Sequence, residues 1–97
     1  MPDFEGTWAR DMRCAIAGDA VCYRRVLEAL ALYLRRMVRH SLLRYGRGTE
    51  DVEDIVQETL LAIHLKRHTW DVSRPIVPWV RAIATNKIID ALRRRGN

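Results

Sequence analysis

Trp70 to Arg95, reading WDVSRPIVPWVRAIATNKIIDALRRR, is where this 97-residue chain concentrates side chains able to do chemistry. Trp70 and Trp79 offer stacking planes, Ser73 and Asn86 offer hydrogen-bonding heads, and Arg74, Arg81, Lys87, Arg93, Arg94 and Arg95 offer charges suited to phosphates. That inventory fits the holding of a single nucleic-acid strand, whose bases stack on aromatic faces while its phosphates take the cations. A second constellation lies upstream. Glu50, Asp54, Gln57, Glu58 and Leu61 are spaced to share one face of a helix, giving an acidic strip with one apolar residue in it, more like an interface than a solvated surface. Catalysis has little to stand on, because no nucleophile–base pair, phosphate-cradling glycine loop or HExxH is present. His64 and His68 are spaced i, i+4 as a metal pair would be, yet no third ligand lies nearby in the sequence, so neither metal nor cofactor is expected.

The elements that must position these groups read as helices. Trp8, Met12, Ala15 and Ile16 form a helical stripe, with Thr7 as its N-cap, and Gly18-Asp19 reads as a C-cap followed by a fresh start. From Asp19 to Tyr45, apolar residues from Tyr23 through Val26, Leu27, Leu30, Leu34, Met37, Val38 and Leu42 recur every three or four positions. This predicts a long amphipathic helix that shows Arg24, Arg25, Arg35, Arg36 and Arg39 on its other face and ends at Gly46-Arg47-Gly48. A third helix follows Thr49, its expected N-cap, and buries Val52, Val56, Thr59, Leu60 and Ile63. It gives out near Arg67, and HTWDVSRP forms a loop because Pro75 keeps Arg74 out of the α region. Pro78 fits the first turn of the last helix, whose core stripe is Ile76, Val80, Ile83, Ala84, Ile88, Ala91 and Leu92. No strand-like alternation occurs, so the fold class is all-α, a compact bundle of three to four helices in one domain spanning residues 1–97.

Charge is distributed unevenly. Residues 1–48 hold nine Arg against five acids, residues 49–66 one Lys against five acids, and residues 67–97 seven basic residues against two acids. A basic chain with one acidic helix has two electrostatic faces, which suits one polyanionic partner and one basic partner. The plainer reading, a charged surface that only solubilises, corresponds to a helical protein-interaction domain with no sequence-specific DNA role. Likewise Trp79 could be a core anchor and Trp70 a lid over helix ends. Cys14 and Cys22 are too few for a secreted scaffold and lack CxxC spacing, so reduced thiols and a cytoplasmic location are expected. The N-terminus has no signal-peptide pattern, and the longest apolar-rich run is too short to insert into a membrane. The end at RRRGN suggests a fragment of a longer protein.

Two motifs in this order resemble region 2 of a bacterial extracytoplasmic-function (ECF) RNA polymerase sigma factor. The first is an acidic D-x-x-D-[LIV]-[VL]-Q-[ED] core, here Asp51, Asp54, Ile55, Val56, Gln57 and Glu58. The second is a Trp followed by [LV]-x-x-I-A-x-N and closed by arginines, here Trp79 to Asn86 and then Asp90 to Arg95. The resemblance covers about residues 15 to 95. It implies a sigma region 2-like bundle that docks on the β′ clamp helices of RNA polymerase through Asp51, Asp54, Gln57, Glu58 and Leu61. It also implies recognition of promoter DNA, specifically the melted minus-ten element on the non-template strand. The loop from Trp70 to Ile76 would surround a flipped base, with Asn86 near that pocket and the arginines holding the backbone. The loop reads WDVSRPI where many relatives carry a Phe-Arg-Gly turn. The resemblance further implies an anti-sigma factor, membrane-attached, that masks one or both faces. The C-terminal helix-turn-helix domain of such factors is absent from this chain, which alone should not initiate transcription.

Overall fold

Two glycines and one aspartate set the main helix boundaries. The computed structural model describes residues 4–96, with side chains described through Arg94. Helix α1 runs Phe4–Ile16, α2 Ala20–Arg44, α3 Val52–Lys66 and α4 Val77–Gly96, with a 3-10 turn at Arg67–Thr69 after α3. Gly18 (φ 113°) ends α1, as the amides of Gly18 and Asp19 donate back to the carbonyls of Ala15 and Cys14. Gly46 (φ 69°) ends α2 in the same way, with Gly46 and Arg47 bonding to Leu43 and Leu42. Both are Schellman closures, which need a positive φ that glycine adopts at little cost. Asp19 then caps α2, its Oδ1 accepting the amides of Val21 at 2.8 Å and Cys22 at 3.1 Å.

Two helix starts differ from the sequence reading. Helix α1 begins at Phe4 rather than after Thr7, because Phe4 stacks on Trp8 with centroids 5.8 Å apart and Glu5 finds partners on another element. Thr49 does not cap α3. The N-cap position is Asp51, which makes no side-chain capping bond, and the Val52 amide is taken by the Thr49 carbonyl in a backbone turn.

The long helix α2 is the centre of the molecule. Its Val26, Leu30, Leu34, Val38 and Leu42 are buried in one cluster with Met12 of α1, Ile55, Val56 and Ile63 of α3, and Ile76, Val80, Ile83, Ala84 and Ile88 along α4. Each helix packs chiefly on its neighbour in the chain, and α2 also touches α4. The polar members of the core are satisfied locally. Thr59 donates its hydroxyl to the Ile55 carbonyl at 2.7 Å, and no buried side-chain polar atom lacks a partner among the described residues. The described residues contain four α-helices and no strand, and no helix among them is long and apolar enough to cross a membrane.

The expectation of reduced thiols needs correction. Cys14 and Cys22 are joined in a disulfide, with Cα atoms 6.0 Å apart. The reversal at Gly18 lays the last turn of α1 beside the first turn of α2, so cysteines eight residues apart meet at a separation a disulfide can span. Nearby, Asp11, buried on α1, holds Arg25 of α2 through two 3.0 Å hydrogen bonds. That carboxylate raises the Arg25 pKa above its ordinary value, first through the hydrogen bond and then through its charge.

Candidate functional site

The α3 strip forms as helical periodicity requires. Val52, Ile55, Val56, Thr59, Ala62 and Ile63 are buried, which turns Asp54, Gln57 and Leu61 outward. Leu61 is 58% exposed, and Leu65, one turn further on, is 71% exposed and lengthens the apolar part of the strip. Leu65 was legible from its i+4 spacing to Leu61 but was missed. Asp51 and Glu58 are half-buried. A groove of about 620 Å³ runs beside the strip, lined by Asp51 at the α3 N-cap, by Glu53, Asp54, Ile55, Gln57 and Glu58 of α3 and by Ala91 and Arg94 of α4. Its rim is tied to its neighbours by two ion pairs. Arg94 approaches Glu58 at 3.3 Å, and Arg35 of α2 approaches Glu53 at 2.6 Å. Glu53 raises the Arg35 pKa, chiefly by hydrogen bonding.

The sequence reading grouped Trp70 with the strand-contacting residues, and the structure buries it. Trp70 is only 4% exposed, its Nε1 donates to the Pro75 carbonyl at 3.4 Å, and its ring lies 6.5 Å from that of Trp79 at a tilt of 40°. A ring so placed shapes the loop and offers no open face for stacking, which favours the alternative reading of Trp70 as a lid over helix ends. Trp79 is half-buried at the margin of the core. Above Trp70 the loop closes on itself. Asp71 Oδ1 accepts the Ser73 amide at 3.0 Å and the Ser73 hydroxyl at 2.7 Å, and the Arg74 amide donates to the Asp71 carbonyl at 2.9 Å. The two Ser73 bonds, the hydroxyl first, hold the Asp71 pKa below its usual value. Ser73 and Arg74 are exposed, with Arg74 Nε 3.4 Å from Asp71.

On α4 the charged and amide groups separate into two sets. Asn86, Lys87 and Arg93 converge with Ile83, Ile89 and Asp90 around a hollow of about 380 Å³, and Lys66 at the end of α3 completes its lining. Lys66 was missed, although its place in the last turn of α3 just before the loop was visible. Arg81 and Arg94 do not join this hollow: Arg81 donates to the Tyr33 hydroxyl on α2 at 2.9 Å, and Arg94 pairs with Glu58. The side chain of Arg95 lies outside the described residues. The hollow thus sets one amide and three cations beside a single carboxylate, Asp90, and two isoleucines, a chemistry with a net positive charge that can hydrogen-bond a base edge and a phosphate.

The first histidine of the i, i+4 pair has a partner on α2. His64 Nδ1 lies 2.6 Å from the Tyr23 hydroxyl, and burial pushes the Tyr23 pKa up. Cys14, Asp19 and Cys22 do bring potential ligand atoms within 4.8 Å of one another. Joined as a disulfide the two sulfurs offer no thiolate, and the Asp19 carboxylate is engaged at the α2 cap.

The sequence signature of sigma-70 region 2 matches residues 30–97, which takes in most of α2 and all of α3, the loop and α4. The chain is also 43% identical over 95 residues to the ECF RNA polymerase sigma factor SigF of Caulobacter vibrioides, an alignment covering 98% of this chain and 51% of that protein. The chain therefore spans about half the length of this curated relative. No solved structure matches it. With an all-α bundle, both motifs in register on α3 and α4, and a family match over most of its length, the chain belongs to the sigma-70 region 2 family and resembles that region of ECF sigma factors.

Proposed function

We propose that this domain brings RNA polymerase to promoters and reads the opened minus-ten element. The α3 strip of Asp54, Gln57, Leu61 and its flanking acids docks on the β′ clamp helices. The loop from Trp70 to Ile76 and the hollow on α4 take the non-template strand, enclosing a base that has left the stack. The observation that carries this reading is the pairing of two surfaces built by the same two helices: an acidic and apolar strip on α3, and a hollow where Lys66, Lys87 and Arg93 outnumber the one acid, Asp90, around Asn86. The first suits a basic helical partner and the second a polyanion. The site of action is the cytoplasm, and an anti-sigma factor, attached to the membrane, controls access to one or both surfaces.

A second reading has its own support. Arg74, Arg81 and Arg94 each have a partner within the molecule, as they would in a protein-interaction domain whose basic face only solubilises. Polymerase binding and DNA binding separate the two readings. Asp54 and Leu61 are exposed, so Asp54→Arg with Leu61→Asp is expected to weaken capture of core polymerase by at least about tenfold while single-strand binding stays within about twofold. Unchanged capture of polymerase by the folded double variant would sink the docking assignment.

A further inference from the structure

Helix α4 begins without a local cap. Its N-cap position is Ile76, whose carbonyl accepts the first intrahelical bond, from Val80 at 3.0 Å, and whose side chain has no oxygen to offer the helix amides. Pro78 carries no amide, leaving Ile76, Val77 and Trp79 as the donors ahead of the first intrahelical bond. Glu5 of α1 meets the first two. Its Oε2 accepts the Ile76 amide and its Oε1 the Val77 amide, each at 2.8 Å, across more than 70 residues of sequence. A carboxylate there also meets the positive end of the α4 dipole.

The same helix grips the loop at its other end. Arg13, two turns further along α1, donates Nη1 to the Val72 carbonyl at 3.1 Å. Helix α1 is itself fixed to α2 by the Asp11–Arg25 pair, the Cys14–Cys22 disulfide and the fully buried Met12. It precedes residues 30–97, where the region 2 signature matches.

We propose that α1 is a strut that sets the shape of the Trp70–Ile76 loop, with Glu5 and Arg13 as positioning residues for recognition of the extruded base. This rests on the base-reading function proposed above. Glu5 fixes where α4 starts, and Arg13 fixes the tip of the Asp71–Arg74 turn. Between them they hold the backbone on which Ser73 and Arg74 are displayed. Neither residue needs to touch DNA. Losing either therefore blunts discrimination between bases and leaves phosphate contacts in place.

Two measurements on the 97-residue chain test this. The first is amide hydrogen exchange, comparing the wild type with Glu5→Ala, Glu5→Gln and Arg13→Ala. Exchange at Ile76 and Val77 is expected to speed up by at least about tenfold in Glu5→Ala, while amides in the middle of α2 keep their protection. Glu5→Gln keeps one carbonyl acceptor and is expected to fall between. The second is selection from a pool of short single-stranded oligonucleotides randomised at their central positions, read by sequencing at two salt concentrations. Glu5→Ala and Arg13→Ala are expected to reduce the preference for the favoured base by about fivefold, with the salt dependence of total binding unchanged.

Unaltered Ile76 and Val77 exchange in Glu5→Ala would overturn the strut, whatever the DNA result. Faster exchange with base preference intact would overturn the link from strut to reading, as would a uniform loss of binding across all sequences. A wild-type chain that binds the pool with no base preference would remove the base-reading function itself, and the recognition role of α1 with it.

Discussion

The α3 strip and the start of α4 are both candidate contact surfaces, and they are built in opposite ways. The strip is a product of local periodicity: once Val52, Ile55, Val56, Thr59 and Ile63 are buried, Asp54, Gln57 and Leu61 must face out. The start of α4 is assembled from afar, by Glu5 and Arg13 of α1 above and by Trp70 packed beneath the loop. A periodic surface can be altered one side chain at a time with little effect on its neighbours. A surface held by distant contacts changes shape when any support is lost, which suits the proposed role of this loop in enclosing a base.

The sharpest break in this comparison is Trp70→Ala. With the ring buried, its removal is expected to cost about 3–5 kcal/mol of stability by urea unfolding. A Trp serving only as an exposed stacking platform would leave the denaturation midpoint unchanged and weaken DNA binding alone. Next in size is the contrast within the α4 hollow. Asn86→Ala is expected to relax preference at one base position by about 1–3 kcal/mol, read by competition among single-base variants of a selected oligonucleotide. Lys87→Ala is instead expected to weaken all sequences alike and to reduce the log-log salt slope by about 0.7. If Asn86→Ala lowered binding uniformly, the assignment of base reading to the amide would be wrong.

The smallest effect concerns the loop's own turn. The Asp71 pKa is depressed in the folded chain, first by the Ser73 hydroxyl, so its contribution is full above the unfolded carboxylate value of about 3.9 and is lost as pH falls through the lower folded value. The Ser73 amide resonance is expected to report this loosening only below about pH 4, and Ser73→Ala is expected to move the transition upward toward the unfolded value. A transition near neutral pH would show that some other group controls the turn. None of these changes should disturb the α3 strip, and a coupled loss of polymerase binding would erase the distinction between the two regions.

Sequence by itself determined the all-α class, the glycine closures at Gly18 and Gly46, the fresh start at Asp19 and most of the buried stripes, since each depends on residues within a turn or two of one another, though Ile55 and Ala62 of α3 are buried outside the expected stripe. The two family motifs were equally legible, because each lies within one helix and its approach. The spacing also gave the outward face of Asp54, Gln57 and Leu61, but it missed Leu65 and put Glu50 on a helix that starts only at Val52. Only the tertiary structure decided that Trp70 is a buried support, that Arg94 turns to Glu58 and Arg81 to Tyr33, and that Lys66 joins Asn86, Lys87 and Arg93. The disulfide likewise followed from how α1 turns back along α2. Side-chain partners across helices depend on how those helices cross, and periodicity fixes which face is apolar without fixing what that face meets. The Glu5 cap is the clearest case. The sequence around Ile76 lacks a capping oxygen, but the carboxylate that fills that need lies at the far end of the chain.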